Sequence, residues 1–167
     1  LTVGALFHLG LETYYRVIQE HQAAFDHLHR DDHYFWGAAG KAEAAAFEAL
    51  SALEAEPGYE DTYPEVERLL VNYFTRYRHQ DRWSVLAVED TLEVDDAAFA
   101  YSARLDLIVE DEADKRTKIV EHKTARAITA DLVQNYQMDL QILGQVWLWN
   151  ELVDPAPYYP FGGVVID

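Results

Sequence analysis

Apolar residues in the first half of the chain recur at helical spacing. Over Val3–Arg30 they return every third or fourth residue, which predicts a helix. The alanine- and glutamate-rich run Lys41–Ala55 predicts a second helix. A third helix is predicted over about Pro64–His79, with Asp61 or Thr62 as its cap. The front half is therefore expected to be helical.

The spacing changes after that point. Apolar residues alternate with polar ones over Trp83–Val94 and again over Tyr101–Val109, which predicts two strands, and Lys118–Lys123 is a third, shorter extended stretch. One long helix is predicted over Thr129–Leu152, followed by a last strand at Gly163–Ile166. This order of helices, strand meander, long helix and strand predicts an α/β or α+β sandwich.

Length and composition limit the class of protein. A chain of 167 residues, half of them apolar, is expected to form one domain over residues 1–167. No run approaches the roughly 18 apolar residues of a membrane span, and no signal peptide is visible, so we expect a cytoplasmic protein of a cell or a phage. The opening Leu-Thr-Val-Gly and the strand-like end suggest a fragment of a longer chain.

Cysteine content and charge narrow the chemistry. With no cysteine, disulfides and thiolate-bound zinc or iron–sulfur sites are excluded, so a metal would need histidine, aspartate and glutamate ligands. The net charge of −17 argues against a general phosphate-binding surface. That objection weakens if some acids bind a cation and if Arg104, Lys123 and Arg126 concentrate around a cleft.

Carboxylates and a lysine stand close together in two predicted strands. Alternation puts Glu121 and Lys123 on one side of their strand and His122 on the other. Asp106 lies among apolar residues of the preceding strand, where an unpaired charge is costly, and a hairpin would bring it next to Glu121. Two such acids can hold a divalent cation, and the lysine can stabilise charge on a phosphate. The alternative from residue types alone is a structural salt bridge from Asp106 to Arg104 or Lys123.

These residues resemble a known family. Asp106 followed by Ile119–Thr124 is similar to the core of the PD-(D/E)XK nuclease superfamily, in its RecB-like branch. Further segments agree in the same order. Gly4–His8 resembles the opening Gly-x-x-x-His helix, and Val88-Glu89 resembles the strand before the aspartate, where the family often carries a glutamate. Asp139–Leu143 resembles the helix after the lysine, which carries a Gln-x-x-x-Tyr motif.

The resemblance implies a restriction-endonuclease-like core, with a mixed central sheet flanked by helices and a helical N-terminal half. It implies metal-dependent hydrolysis of DNA, most often by an exonuclease in DNA repair or recombination, with a helicase or other partner domain outside this chain. One or two Mg²⁺ or Mn²⁺ ions would be bound. The implied ligands are His8, Asp106, Glu121 and the backbone carbonyl of His122. Lys123 and Gln141 are the further catalytic residues that the resemblance implies.

At two positions the sequence departs from the family motif or allows another interpretation. The residue four after Gln141 is Gln145 rather than tyrosine, and Gln134, Gln137, Gln141 and Gln145 form an amide stripe that suits either a site wall or a solvated face. Without the resemblance, His8 would be interpreted as a core histidine.

Three other functions stay open at this point. The chain could be a catalytically silent DNA-end-binding or assembly module of the same fold. It could be a CRISPR-associated nuclease relative, although such relatives carry four cysteines around an iron–sulfur cluster and this chain has none. It could also be an acidic α/β domain with surface ion pairs.

Overall fold

The computed structural model describes residues 1–25, 32–77, 83–96, 99–125, 127, 129–137, 139–153 and 158–167. These residues form two compact units, Leu1–Val85 and Leu86–Asp167. Among the described residues, no helix is both long enough and apolar enough to cross a membrane.

Helices make up the first unit. They are α1 (Val3–Phe25), α2 (Asp32–Ser51) and α3 (Tyr59–Tyr77). The predicted first helix is confirmed over its described part, and Thr2 caps it, since its Oγ1 accepts from the Ala5 N–H at 3.2 Å. α1 packs against α2 and α3. A buried apolar core results, which includes Leu6, Leu11, Ile18, Leu50, Val66 and Leu70.

The starts predicted for α2 and α3 are wrong. α2 begins already at Asp32, because Gly40 does not stop a helix whose Ala38 and Ala39 are buried. α3 begins at Tyr59 and contains Pro64, so neither Asp61 nor Thr62 is the cap. Pro64 lies in the second turn, where it removes one backbone hydrogen bond, and the acidic residues Glu60 and Asp61 in the first turn suit the helix dipole.

A four-stranded sheet organises the second unit. Its strands are β1 (Trp83–Asp96), β2 (Phe99–Asp111), β3 (Arg116–Glu121) and β4 (Phe161–Ile166), in that spatial order. β2 and β3 form an antiparallel hairpin, whereas β3 and β4 are parallel, so the sheet is mixed. The four predicted strands are confirmed, and so is the predicted α/β fold with a mixed sheet and helices.

The predicted single helix over residues 129–152 is wrong. Two helices occupy that range, α4 (Ala130–Gln137) and α5 (Leu140–Leu152). Thr129 caps α4 as predicted, accepting from the Leu132 N–H at 3.2 Å. The break comes at Asp139, whose backbone is extended and whose carboxylate accepts from the Gln141 N–H at 2.8 Å. Asp139 is therefore the N-cap of α5, which packs on β2 and β4.

Candidate active site

Asp106 and Glu121 lie at the same end of the β2–β3 hairpin. The register runs from Asp111 opposite Arg116 to Leu107 opposite Val120, and Asp106 and Glu121 are the residues next to that last pair. Asp106 is flanked by the fully buried Leu105 and Leu107, and its Oδ2 accepts from the His122 N–H at 2.8 Å. The hairpin thus brings two acids together at the end of β3.

Three donors converge on the Glu121 carboxylate, which is only 1% exposed. Lys123 Nζ lies 2.5 Å from Oε1, and Gln141 Nε2 donates to the same oxygen at 2.8 Å. Gln145 Nε2 donates to Oε2, also at 2.8 Å. Because a buried carboxylate needs partners for its charge, these three contacts let Glu121 be buried at this position.

Lys123 lies on the same side as Glu121, as strand alternation predicts. The pairing of β3 with the C-terminal strand continues past Glu121, since the Asp167 N–H donates to the Glu121 carbonyl at 3.0 Å and the Lys123 N–H donates to the Asp167 carbonyl at 2.7 Å. This ladder keeps Lys123 extended. Its ammonium contacts Gln141 Oε1 at 3.2 Å as well as Glu121, so the cation is held by two acceptors from different elements.

His122 presents its backbone to β2. The Glu121 carbonyl and the Lys123 N–H point toward Asp167, and the His122 N–H points the other way, to Asp106. Because successive backbone groups alternate, the His122 carbonyl is directed to the β2 side too. The imidazole is buried, with Nδ1 at 3.8 Å from Asp106 Oδ2.

Glu89 lies close to Asp106, although the sequence predicted no metal-binding role for it. It lies within β1 at a φ of 51°, a left-handed conformation that is costly for a residue other than glycine. One of its carboxylate oxygens lies within 4.8 Å of one from Asp106, and Arg104 forms an ion pair with it. Its place in the family pattern was the available signal. Nothing local to Val88-Glu89 revealed the strained backbone.

Gln145 is the second residue that was underestimated. It is fully buried, and besides its bond to Glu121 its Nε2 lies 3.4 Å from the Arg104 carbonyl. Its spacing of four residues from Gln141 on one helix face was a usable signal. Of the other glutamines in the stripe, Gln134 is exposed and the Gln137 side chain lies outside the described residues.

The sequence also singled out His8 and three basic residues near the candidate site. His8 lies on α1 in the Leu1–Val85 unit and is half-buried, and its role as a metal ligand stays a prediction. Arg126 lies outside the described residues. Arg104 forms a salt bridge with Glu89, and Lys123 forms one with Glu121.

The donor set fits a hard divalent cation. Carboxylate oxygens from Glu89 and Asp106 lie close enough together to share one ion, and oxygen ligands suit Mg²⁺ or Mn²⁺. A carboxylate offers roughly four acceptor positions. Three on Glu121 are taken by Lys123, Gln141 and Gln145, and Glu121 is not part of the close group that contains Glu89 and Asp106, so its role as a metal ligand stays a prediction.

Comparison with known proteins agrees with this geometry. The family model of the PD-(D/E)XK nuclease superfamily matches residues 1–157. That match covers nearly the whole chain and includes Glu89, Asp106, Glu121, Lys123 and the two glutamines that contact Glu121. No curated protein and no solved structure gives a significant match. The chain therefore belongs to the PD-(D/E)XK nuclease superfamily, which agrees with the acids and the lysine at the end of the hairpin.

Proposed function

We propose that this chain is a metal-dependent DNA exonuclease of the RecB-like branch. Membership of the superfamily supports a nuclease, that is, a hydrolase of phosphodiester bonds. The observation that carries the proposal is the convergence of Lys123, Gln141 and Gln145 on Glu121, next to the Asp106–Glu89 pair. The order of the five motif segments supports the RecB-like branch, in which exonucleases predominate.

Several side chains and one backbone carbonyl could hold the metal in such a reaction. Glu89, Asp106 and one oxygen of Glu121 would hold a divalent metal, which would supply Lewis acidity and lower the pKa of a bound water. The His122 carbonyl, directed toward β2, is a further ligand. His8 remains a predicted ligand, on the strength of the Gly4–His8 resemblance alone.

Lys123 provides fixed positive charge for the phosphate. Glu121 and Gln141 hold its ammonium from two directions, so little reorganisation is needed when charge develops on the scissile group. No residue is required to form a covalent intermediate: water would add directly to phosphorus as the P–O bond to the leaving strand breaks, and the departing oxygen would take up, through solvent, the proton that water releases.

The first test uses the unmodified protein. End-labelled linear DNA and closed circular DNA are incubated with Mn²⁺, with Mg²⁺ and with chelator. We expect linear DNA to be degraded in either metal, circular DNA to survive, and chelator to stop the reaction. Cleavage of circular DNA would refute the exonuclease assignment, and metal-dependent DNA binding without cleavage would favour the silent binding module.

The ligand assignment is tested with Asp106→Ala. Calorimetry should show Mn²⁺ binding to the unmodified protein at sub-millimolar concentration and no binding to this variant, because one carboxylate of the pair is lost. Asp131→Ala, at an exposed position of α4, removes the same charge and should bind normally. Equal Mn²⁺ affinity in all three proteins would exclude Asp106 as a ligand.

The role of Lys123 is tested with Lys123→Ala. If its charge acts on the transition state, cleavage should fall by about 10²-fold or more while Mn²⁺ binding is retained. The variant should also unfold at lower temperature in chelator, because Glu121 loses its ion pair. Lys115→Ala, at an exposed position in the β2–β3 turn, is the control. A cleavage rate equal to that of the control would refute the catalytic role.

A further inference from the structure

Arg104 and Glu89 form an ion pair of unequal burial. The Arg104 side chain is 66% exposed, whereas the Glu89 side chain is only 6% exposed. The acid is therefore fixed inside the unit, at a strained backbone position, and the guanidinium reaches it from the surface. Because the guanidinium of Arg104 is already at the surface, it can leave Glu89 without any change in the burial of a positive charge.

The same acid belongs to the metal-binding pair. Glu89 and Asp106 present carboxylate oxygens within 4.8 Å of each other, and two acids that close repel unless a positive charge compensates them. In this structure the Arg104 guanidinium supplies compensation on the Glu89 side. A divalent ion shared by the two acids would supply it instead, so guanidinium and metal compete for Glu89.

Arg104 also shares one face of β2 with Asp106. It is two residues before Asp106 on β2, so alternation puts both side chains on one face of the strand. The backbone there is anchored by Gln145 Nε2, 3.4 Å from the Arg104 carbonyl. The chain carries 13 basic against 30 acidic residues, so phosphate affinity has to come from a few local cations.

We propose that a bound metal displaces Arg104 from Glu89 and that Arg104 then binds a DNA phosphate. It holds Glu89 in the metal-free protein and moves to a DNA phosphate when the site is loaded. This inference rests on the proposed nuclease function. It predicts opposite effects of one substitution on two ligands, because removing the guanidinium removes a competitor of the metal and a partner of the DNA.

The first readout is metal affinity measured without DNA. Calorimetry should give an Mn²⁺ affinity about tenfold higher for Arg104→Gln than for the unmodified protein, since a positive charge near the ion is lost. Arg116→Gln, at the exposed start of β3 by the opposite end of the hairpin, removes the same charge and should leave the affinity unchanged. An affinity that is equal or lower in Arg104→Gln would overturn the exchange.

The second readout is DNA affinity at several salt concentrations, measured with Lys123→Ala as the background so that cleavage is suppressed. In Mn²⁺, adding Arg104→Gln should weaken binding and lower the slope of log affinity against log salt by about 1, the value for one lost phosphate contact. In chelator the two proteins should bind alike, because Arg104 is then held by Glu89. An unchanged slope in Mn²⁺ would overturn the phosphate contact.

The two proposals fail in different ways. If the unmodified protein binds Mn²⁺ but does not cleave DNA, the nuclease function is wrong, whereas the comparison of metal affinities still decides the exchange. Arg104→Lys guards against a folding defect, because it keeps the charge. Its Mn²⁺ affinity should match that of the unmodified protein, and a tenfold rise in this variant as well would show that charge competition is not the cause.

Discussion

Replacement of Gln145 by leucine should remove one hydrogen bond from the Glu121 carboxylate while leaving that carboxylate buried. Gln145 is fully buried, Glu121 is 1% exposed, and the bond between Nε2 and Oε2 is 2.8 Å long. Leucine has a similar volume and no donor. The variant therefore removes one charge-assisted bond from a buried carboxylate and leaves one oxygen without that partner.

The expected cost follows from the charge of the acceptor. Hydrogen bonds to charged groups contribute about 1.5–3 kcal/mol, and a buried acceptor that loses its donor carries the desolvation penalty in full. We expect Gln145→Leu to lower the free energy of unfolding in chelator by about that amount. Gln134→Leu makes the same change at an exposed position of α4 and should stay within about 0.5 kcal/mol of the unmodified protein.

The assay is denaturant unfolding in chelator, paired with cleavage in saturating Mn²⁺. Cleavage by Gln145→Leu should fall through kcat, since Glu121 is no longer oriented. A loss in Gln145→Leu no greater than in Gln134→Leu would refute this reasoning.

Two further predictions concern positions outside the site. Gly144→Ala places a Cβ 1.8 Å from the Tyr101 hydroxyl oxygen, so it should lower the free energy of unfolding by about 1–3 kcal/mol, and Tyr101→Phe should restore only part because the ring carbon Cζ lies at 2.6 Å. Burial raises the pKa of the Tyr59 phenol. The contribution of Tyr59 to stability is therefore fully present below about pH 10, where the phenol begins to ionise in the unfolded chain, and it is lost as the pH rises further. In thermal melts at increasing alkaline pH, Tyr59→Phe should flatten that decline, and an equal decline in both proteins would contradict the assignment.

The amino-acid sequence by itself predicted the strands and the candidate site residues on β2 and β3. The change from helical to alternating spacing located all four strands, because side-chain period is a property of neighbouring residues. The same alternation put Glu121 and Lys123 on one side, and an aspartate in an apolar strand marked Asp106. These inferences needed no knowledge of what packs against what.

Only the tertiary structure decided which distant residues share the site. The break at Asp139 sets α5 apart from α4, and α5 docks on the sheet with Gln145 against Glu121. Glu89 likewise joins Asp106 through a left-handed backbone position within β1. Both contacts join residues far apart in the chain, and they depend on strand register and helix docking. The burial of whole faces sets that geometry, so no local pattern in the sequence reveals it.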